Sequence, residues 1–162
     1  MIELNESSKG RLIEKLGGLI ARWQDATQRY DETVGELFQL GPAERLCLSF
    51  LTSGPQTASA IARATRLTPA AVTALVDRLQ ARDYVRRRPD PLDRRKVWVE
   101  TGPATEALIH TAYLPLAQAG AAAFDKRSAE ELRIVAEVLE QTITIQDDMT
   151  EQLLARKGRA GR

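Results

Sequence analysis

The stretch that decides the fold is residues 57–101, TASAIARATRLTPAAVTALVDRLQARDYVRRRPDPLDRRKVWVET. Its apolar periodicity and turn residues predict a short helix, a turn, a second helix, and two strands around an Arg-rich hairpin tip. Residues 63–96 carry ten Lys/Arg and four Asp/Glu, a net charge of +6, whereas the whole chain is +1 and the remainder therefore sums to −5. Positive charge gathered on one module of a nearly neutral protein is typical of DNA binding.

Both helices of this stretch have recognisable starts. The first is predicted over about residues 57–64, with Thr57 as its N-cap. The second extends from Thr68 to about Arg82, because a Thr cap followed by Pro69 is a typical helix start. One face of the second helix is apolar and predicted to be buried, namely Val72, Leu75, Val76 and Leu79. The opposite face is small and polar, so it can approach another surface closely; it holds Ala70, Ala74, Asp77 and Ala81, with Thr73 and Arg78 on its flanks.

The strands are predicted over residues 84–88 and 97–99, with Pro89-Asp90-Pro91 in the hairpin tip and Gly102-Pro103 after the second strand. Strand side chains alternate between the two faces, so residues 86–88, three consecutive arginines, cannot all face DNA. We expect one parity to point toward phosphate and Arg87 to point elsewhere. A charged edge strand also protects a sheet from aggregation.

A long helix and a shorter one precede the stretch. The first is predicted over about residues 8–32, capped by Ser7 or Ser8, and ends before Gly35 and Gly41. Its apolar stripe consists of Leu12, Leu16, Leu19, Ile20, Trp23, Thr27 and Tyr30. The second is predicted over residues 42–51, with Pro42 in its first turn. Its apolar face consists of Ala43, Leu46, Cys47, Phe50 and Leu51.

Two helices are predicted after the stretch. An Ala-rich helix over about residues 104–124 should be kinked by Pro115. Ser128 and Glu131 form a capping box that opens a final helix. One face of that helix holds Leu132, Val135, Leu139, Thr142, Gln146, Met149 and Leu153. Residues 157–162 are predicted to be a frayed basic tail.

This organisation predicts three regions: an N-terminal dimerisation helix over residues 1–40, a DNA-binding region over 41–102, and C-terminal dimerisation helices over 103–162. Two long amphipathic helices around one small module have little core of their own to pack on. A monomeric bundle is the simpler alternative, but we favour a homodimer, the commonest oligomer.

Composition narrows the class of protein. One cysteine excludes an intramolecular disulfide, which suits the cytosol, and with one histidine it makes a zinc site or a Cys/His nucleophile pair improbable. No apolar run approaches the length of a membrane span, and the polar N-terminus is unlike a signal peptide. We therefore expect a cytoplasmic protein without a cofactor or a membrane partner.

Four short motifs carry a family resemblance: LTPAAVT at residues 67–73, VDRL at 76–79, Val85-x-Arg87, and DPLDRR at 90–95. In this order they resemble the MarR family of winged helix-turn-helix transcription regulators, whose wing tip has the pattern DPxDRR. The resemblance covers residues 42–101 by motif and the flanking helices by pattern only. It implies a mainly α fold with a small β-hairpin wing, flanked by long N- and C-terminal dimerisation helices.

The chain departs from the family at the turn and after the second strand. Asp83 stands where the family usually has Gly, and Tyr84 where it often has Leu. Residues 100–103, Glu-Thr-Gly-Pro, replace the usual Leu-Thr and later Gly.

The resemblance implies that the helix at 68–82 is the recognition helix. A small polar face also suits the major groove independently, and a helix N-terminus favours phosphate. The predicted contacts of the helices with double-stranded DNA are Thr57, Thr68, Ala70, Ala71, Thr73, Ala74 and Arg78. The alternative is an ordinary surface helix with an alanine face.

In the wing, the resemblance places Arg95 in the minor groove, where a guanidinium suits a narrow electronegative site. Arg94 and Lys96 would contact phosphates. Asp77 would be an internal partner of Arg95, and Asp93 would support the wing. The alternatives are a solvated charged turn and, for Asp77, an unpartnered helix-surface acid.

The family often binds small aromatic effectors between its terminal helices and its DNA module. Trp23, Tyr30 and His110 could line such a cleft, although aromatic residues at helical spacing more often form core or dimer interface. Cys47 raises the question of redox sensing, but sensor cysteines are exposed and have a lowered pKa. Cys47 lies among apolar residues of a predicted core helix, so a buried inert thiol is favoured.

The sequence therefore predicts a homodimeric, ligand-responsive repressor that binds an inverted-repeat operator. The alternative is a winged-helix module that binds protein instead. An enzyme is disfavoured, because no phosphate loop, metal cluster or nucleophile constellation is recognisable.

Overall fold

The structure is a computed structural model that describes residues 6–93 and 96–160. Its helices are α1 (Glu6–Leu37), α2 (Pro42–Leu51), α3 (Ala58–Thr65), α4 (Pro69–Ala81), α5 (Pro103–Leu108), α6 (Leu114–Phe124) and α7 (Ala129–Ala160), with a π-helical segment (Ile109–Tyr113) between α5 and α6. Its strands are β1 (Gln56–Thr57), β2 (Val85–Pro89) and β3 (Val97–Thr101). The predicted fold class, mainly α with a small β-hairpin wing, is confirmed.

The chain divides into two compact units, Met1–Tyr113 and Leu114–Arg162. The hydrophobic core of the first unit brings together α1, α2, α3, α4, the hairpin and α5. All four residues predicted for the apolar face of α4 are buried in this core: Val72, Leu75, Val76 and Leu79. Within the described helices, none is both long and apolar enough to cross a membrane.

Side-chain caps define the starts of α3 and α4, as the sequence predicts. The Thr57 hydroxyl accepts a hydrogen bond from the Ala60 amide at 3.3 Å and opens α3. The Thr68 hydroxyl accepts one from the Ala71 amide at 3.3 Å, and Pro69 follows as the first residue of α4. Each cap satisfies an amide that would otherwise lack a partner in the first turn.

The sheet has three antiparallel strands in the order β1-β3-β2, so the hairpin gains a third strand that the sequence did not predict. Val99 of β3 pairs with Gln56 on one side and with Arg87 on the other. A two-residue strand is too short to show alternation, and its pairing depends on β3, about forty residues later in the chain.

The turn between α4 and β2 tolerates the departure at Asp83. This residue has a φ of +57°, the left-handed conformation that glycine adopts readily and that aspartate visits more easily than most residues. The Asp83 carbonyl accepts a hydrogen bond from the Ala104 amide at 3.1 Å, and Gly102 packs so closely against that carbonyl that a side chain would not fit.

The predicted limits of α1 are wrong at both ends. The helix begins at Glu6, so Ser7 and Ser8 lie within it and do not cap it. It continues through Gly35 to Leu37, because packing outweighs the low helix propensity of glycine. A Cβ at Gly35 would collide with the Arg45 guanidinium and lie 2.9 Å from the Leu40 carbonyl oxygen.

In α2, two predicted core residues, Cys47 and Leu51, are buried. The prediction for Leu46 is wrong, since this side chain is 48% exposed and Leu48, two residues later, is buried instead. The apolar residues of α2 extend around more than one face, so periodicity alone could not select which leucine packs inward.

The distortion expected at Pro115 lies one turn earlier, in the π-helical segment. Proline has no amide hydrogen and its ring clashes with the preceding turn, so the irregular backbone precedes the proline itself. At the far end, the Ser128–Glu131 capping box is confirmed. The prediction of a frayed tail is wrong for residues 157–160, because they continue α7. Residues 153–160 are mostly good helix formers, and residues 161–162 lie outside the described part.

Candidate nucleic-acid interface

The exposed face of α4 is built as the sequence predicts. Thr68, Ala70, Thr73 and Ala74 are exposed, and Ala71 is half-buried. Two hydroxyls on this surface have internal partners, because the Thr68 hydroxyl caps α4 and the Thr73 hydroxyl donates to the Pro69 carbonyl at 3.1 Å. The face therefore offers mainly methyl groups and hydroxyl oxygens, the groups that contact thymine methyls and base edges.

Thr57 is half-buried at the start of α3. Its hydroxyl lies 3.0 Å from the Ser59 hydroxyl in addition to capping α3. The structure thus gives Thr57 a local structural role, and its contact with DNA stays a prediction.

A salt bridge joins the wing strand β2 to α4. The Arg87 guanidinium lies 2.6 Å from the Asp77 carboxylate and donates to the Gln80 amide oxygen at 2.7 Å. Arg87 thus contacts α4, and the expectation that its neighbours face phosphate stays a prediction. Asp77 therefore supports the wing through Arg87, a partner that the sequence did not predict. The predicted partner Arg95 and its neighbour Arg94 lie outside the described residues.

The Asp90 carboxylate organises the wing tip. One oxygen accepts hydrogen bonds from the amides of Leu92 at 2.8 Å and Asp93 at 3.1 Å, and the other accepts one from the Trp98 indole at 2.8 Å. These bonds lower the pKa of Asp90, the Leu92 amide most and then the Trp98 indole, with a smaller contribution from the charge of Lys96. The tip is thus an aspartate-centred turn.

Backbone bonds and a cation–π contact complete the tip. The Lys96 amide donates to the Asp93 carbonyl and the Asp90 amide to the Lys96 carbonyl, both at 2.9 Å. The Lys96 ammonium lies 4.2 Å from the centre of the Trp98 ring. The roles of Asp90 and Trp98 were not predicted from the sequence. The signal in the sequence was a tryptophan eight residues after an aspartate, with the hairpin tip between them.

Several cations of the module have internal partners. Arg78 pairs with Glu44 of α2 at 3.4 Å, and Arg88 pairs with Glu100 of β3 at 3.1 Å. Arg82 bonds backbone carbonyls and Lys96 contacts the Trp98 ring. Among residues 6–93 and 96–160, the exposed cations of the module whose side chains have no hydrogen bond, ion pair or ring contact are Arg63, Arg66 and Arg86. The net charge of +6 therefore overstates how many cations are free to meet phosphate.

The three residues predicted for an effector cleft lie in different surroundings. Tyr30 donates to the Ala112 carbonyl at 2.6 Å and packs edge-on against Tyr113, so it belongs to the core edge. Trp23 is 59% exposed and lines an open cavity of about 470 Å³ on α1 with Leu19 and Arg29, which includes neither Tyr30 nor His110. His110 is exposed in the π-helical segment.

Tyr113 forms a second bond between α1 and the π-helical segment. Its hydroxyl donates to Asp31 at 2.9 Å. Burial, followed by the hydrogen bond and charge of Asp31, raises the pKa of Tyr113 to about 12, so the donor keeps its proton at physiological pH.

Cys47 is completely buried, as predicted. Burial, with the charge of Glu44 as the smaller cause, raises the pKa of the thiol to about 11. A redox sensor needs an exposed thiolate, so the environment of Cys47 is the opposite of the one that such chemistry requires.

A capped helix pair followed by a basic β-hairpin defines a winged helix-turn-helix protein, a class of transcription regulators. Residues 38–96 match the model of the MarR family. Two curated proteins and a solved structure to which the chain is similar are transcription regulators as well.

The chain is 28% identical over 149 residues to the uncharacterized HTH-type transcriptional regulator YcgE of Bacillus subtilis, covering 91% of this chain and 92% of that protein. It is 40% identical over 65 residues to the HTH-type transcriptional repressor NicR of Pseudomonas putida, 40% of each chain. A MarR-like transcriptional regulator from Thermotoga maritima has the same fold, with a TM-score of 0.61, 20% identity, and coverage of 80% of this chain and 95% of that one.

Proposed function

We propose that the protein is a sequence-specific regulator that binds double-stranded DNA through α4 and the wing. The observation that carries the proposal is the Arg87–Asp77 bridge, because it joins the two elements that would enter adjacent grooves. A helix with a small polar face reads base edges, and a wing fixed to that helix keeps one register on the duplex.

Cations around α4 supply the attraction to phosphate. Arg63 and Arg66 lie in and directly after α3, and Arg86 lies on β2, so three exposed guanidinium groups flank the recognition helix in the chain. We place Lys96, Arg94 and Arg95 at the wing on the strength of the sequence, with Arg95 in the minor groove. Arg78 can contribute after exchanging its Glu44 partner for a phosphate.

The proposal includes a homodimer formed by α1 and α7. On α1, large apolar side chains at helical spacing remain exposed: Leu12, Ile13, Leu16, Leu19 and Trp23. On α7 the exposed apolar residues are Ile134, Val135, Val138, Ile143, Ile145, Met149, Leu153 and Leu154. Exposed apolar surface of this extent is typical of a subunit interface. Two copies would present two α4 helices to successive major grooves, about 34–36 Å apart.

We further propose that the protein is a cytoplasmic repressor that a small aromatic ligand releases from an inverted-repeat operator. Support for repression comes from the repressor NicR, to which this chain is 40% identical over 65 residues. Trp23 offers an exposed ring beside an open cavity, so we assign the ligand to Trp23, whereas Tyr30 and His110 lie outside that cavity. A ligand can act only through different affinities for the two arrangements of the DNA-binding helices.

Selection of bound fragments from the host genome, followed by titration on the recovered duplex and on a scrambled duplex, tests the proposal. Six to ten phosphate contacts per dimer predict a log–log salt slope of roughly −5 to −9 on the recovered site. The alternative function is a winged-helix protein-interaction module. It would be favoured by a slope near zero or by equal affinity for both duplexes.

A further inference from the structure

The side chain of Arg82, the C-cap residue of α4, reaches the segment that directly follows α1. Its two terminal nitrogens donate to consecutive backbone carbonyls, those of Phe38 at 2.7 Å and Gln39 at 2.8 Å. These carbonyls directly follow α1, where helical carbonyl groups lack partners and the helix dipole is negative. A guanidinium satisfies both oxygens at once because its donors form a planar fork.

The aromatic ring of Tyr84 supports the same contact. The Arg82 guanidinium lies 5.0 Å from the centre of the Tyr84 ring, and the Tyr84 hydroxyl donates to the Phe38 carbonyl at 3.3 Å. Tyr84 is buried. Gln39 adopts a φ of +52°, an uncommon conformation for a residue other than glycine, and the two arginine bonds lie directly on this turn.

We propose that Arg82 is a positioning residue that fixes the recognition helix α4 to the end of α1 and thereby sets DNA specificity without touching DNA. The proposal rests on the proposed function, since it assigns α4 the role of reading bases. Arg82 is the C-cap of α4, so a shift of the α1 terminus moves the base of that helix directly. Arg82 belongs to the positive charge that the sequence assigns to DNA, yet its side chain bonds backbone carbonyls of the protein.

The test compares Arg82→Ala, Arg82→Lys and Arg86→Ala in the full chain, titrated at several salt concentrations on the recovered operator and on a scrambled duplex. Arg82→Ala should weaken operator binding roughly tenfold, leave the scrambled duplex within about twofold and keep the salt slope unchanged. Arg82→Lys should fall between Arg82→Ala and the unmodified protein, because one ammonium cannot fork across two carbonyls. Arg86→Ala is the matched control and should weaken both duplexes equally and reduce the slope by about one.

Amide hydrogen exchange without DNA gives a second readout. Arg82→Ala should speed exchange at residues 38–40 and in the last turn of α4 while the melting temperature shifts little. Equal losses on both duplexes with a smaller slope would make Arg82 a phosphate contact, and unchanged affinity would overturn its positioning role. If the unmodified protein does not discriminate between the duplexes, the proposed function fails, and unchanged exchange would separately refute the link to α1.

Discussion

The DNA-binding module and the long helices α1 and α7 differ in how many of their apolar and charged side chains find partners within one chain. In the module, α4 is capped, its apolar face is buried, and Asp77 and Glu44 have cationic partners. On α1 and on α7, by contrast, large apolar side chains face solvent along much of the helix. A region whose side chains have partners within the chain can fold alone, whereas helices with exposed apolar stripes need a further surface to cover them. This contrast agrees with the proposal that the module recognises DNA and that α1 and α7 form the dimer.

The largest effect should follow a charge in the exposed stripe of α1. Leu16→Glu should reduce the mass in light scattering to the 17.9 kDa of one chain, because a buried carboxylate at an interface is costly. Operator affinity should fall at least about a hundredfold, since the two binding modules would no longer be linked.

Ala21→Glu is the matched control, because Ala21 is exposed on the other side of α1 by helical spacing and the substitution adds the same charge. A Leu16→Glu protein that keeps its mass and affinity would remove α1 from the interface.

The next effect tests the wing. Arg95→Ala should cost on the order of 1–3 kcal/mol on the operator and little on a scrambled duplex, because a groove contact carries sequence information. Lys96→Ala should weaken both duplexes about equally and shrink the salt slope by about one. Parallel titrations measure both; equal losses for Arg95→Ala would reduce that residue to a phosphate contact and leave specificity to α4.

A smaller effect should come from breaking the bridge between the wing and α4. Arg87→Ala should lower operator affinity by roughly tenfold, because the wing loses its tie to the helix. Stability should change by less than about 1 kcal/mol, since Asp77 is largely exposed and water screens the pair.

Asp77→Ala should have a similar effect, and the double variant should lose little more than either single one. Additive losses in this cycle would show that the two residues act separately.

The smallest effect concerns the pH dependence of the wing tip. The pKa of Asp90 is lowered in the folded protein by its bonds to the Leu92 amide and the Trp98 indole. A lowered pKa stabilises the fold above the ordinary aspartate value, and the contribution is lost as pH falls through the folded pKa. Trp98 should therefore change its fluorescence only below about pH 4.

A Trp23→Phe background removes the other tryptophan, and Asp90→Asn should abolish the acid transition in that background. A transition that persists in Asp90→Asn would belong to another carboxyl group.

Local chemistry explains which predictions succeeded. The Thr57 and Thr68 caps, the Ser128 capping box and the buried stripe of α4 depend on residues within one or two turns of each other, so the sequence displays them directly. Predictions failed where packing between distant segments competed with local preference. The low helix propensity of Gly35 predicts an interruption, yet α1 continues through this residue. Arg45 and Leu40 pack so closely against Gly35 that a side chain would not fit there.

The sequence by itself determined the winged helix-turn-helix class, the starts of its short helices and the concentration of positive charge between residues 63 and 96. Only the tertiary structure decided what each arginine does: Arg82 bonds the end of α1, Arg87 bonds α4, and Arg88 bonds β3. It also decided the pairing of β1 with β3. The physical reason is distance along the chain. Charge and capping are properties of neighbouring residues, whereas the partner of a guanidinium depends on which carbonyl or carboxylate the fold brings within about 3 Å.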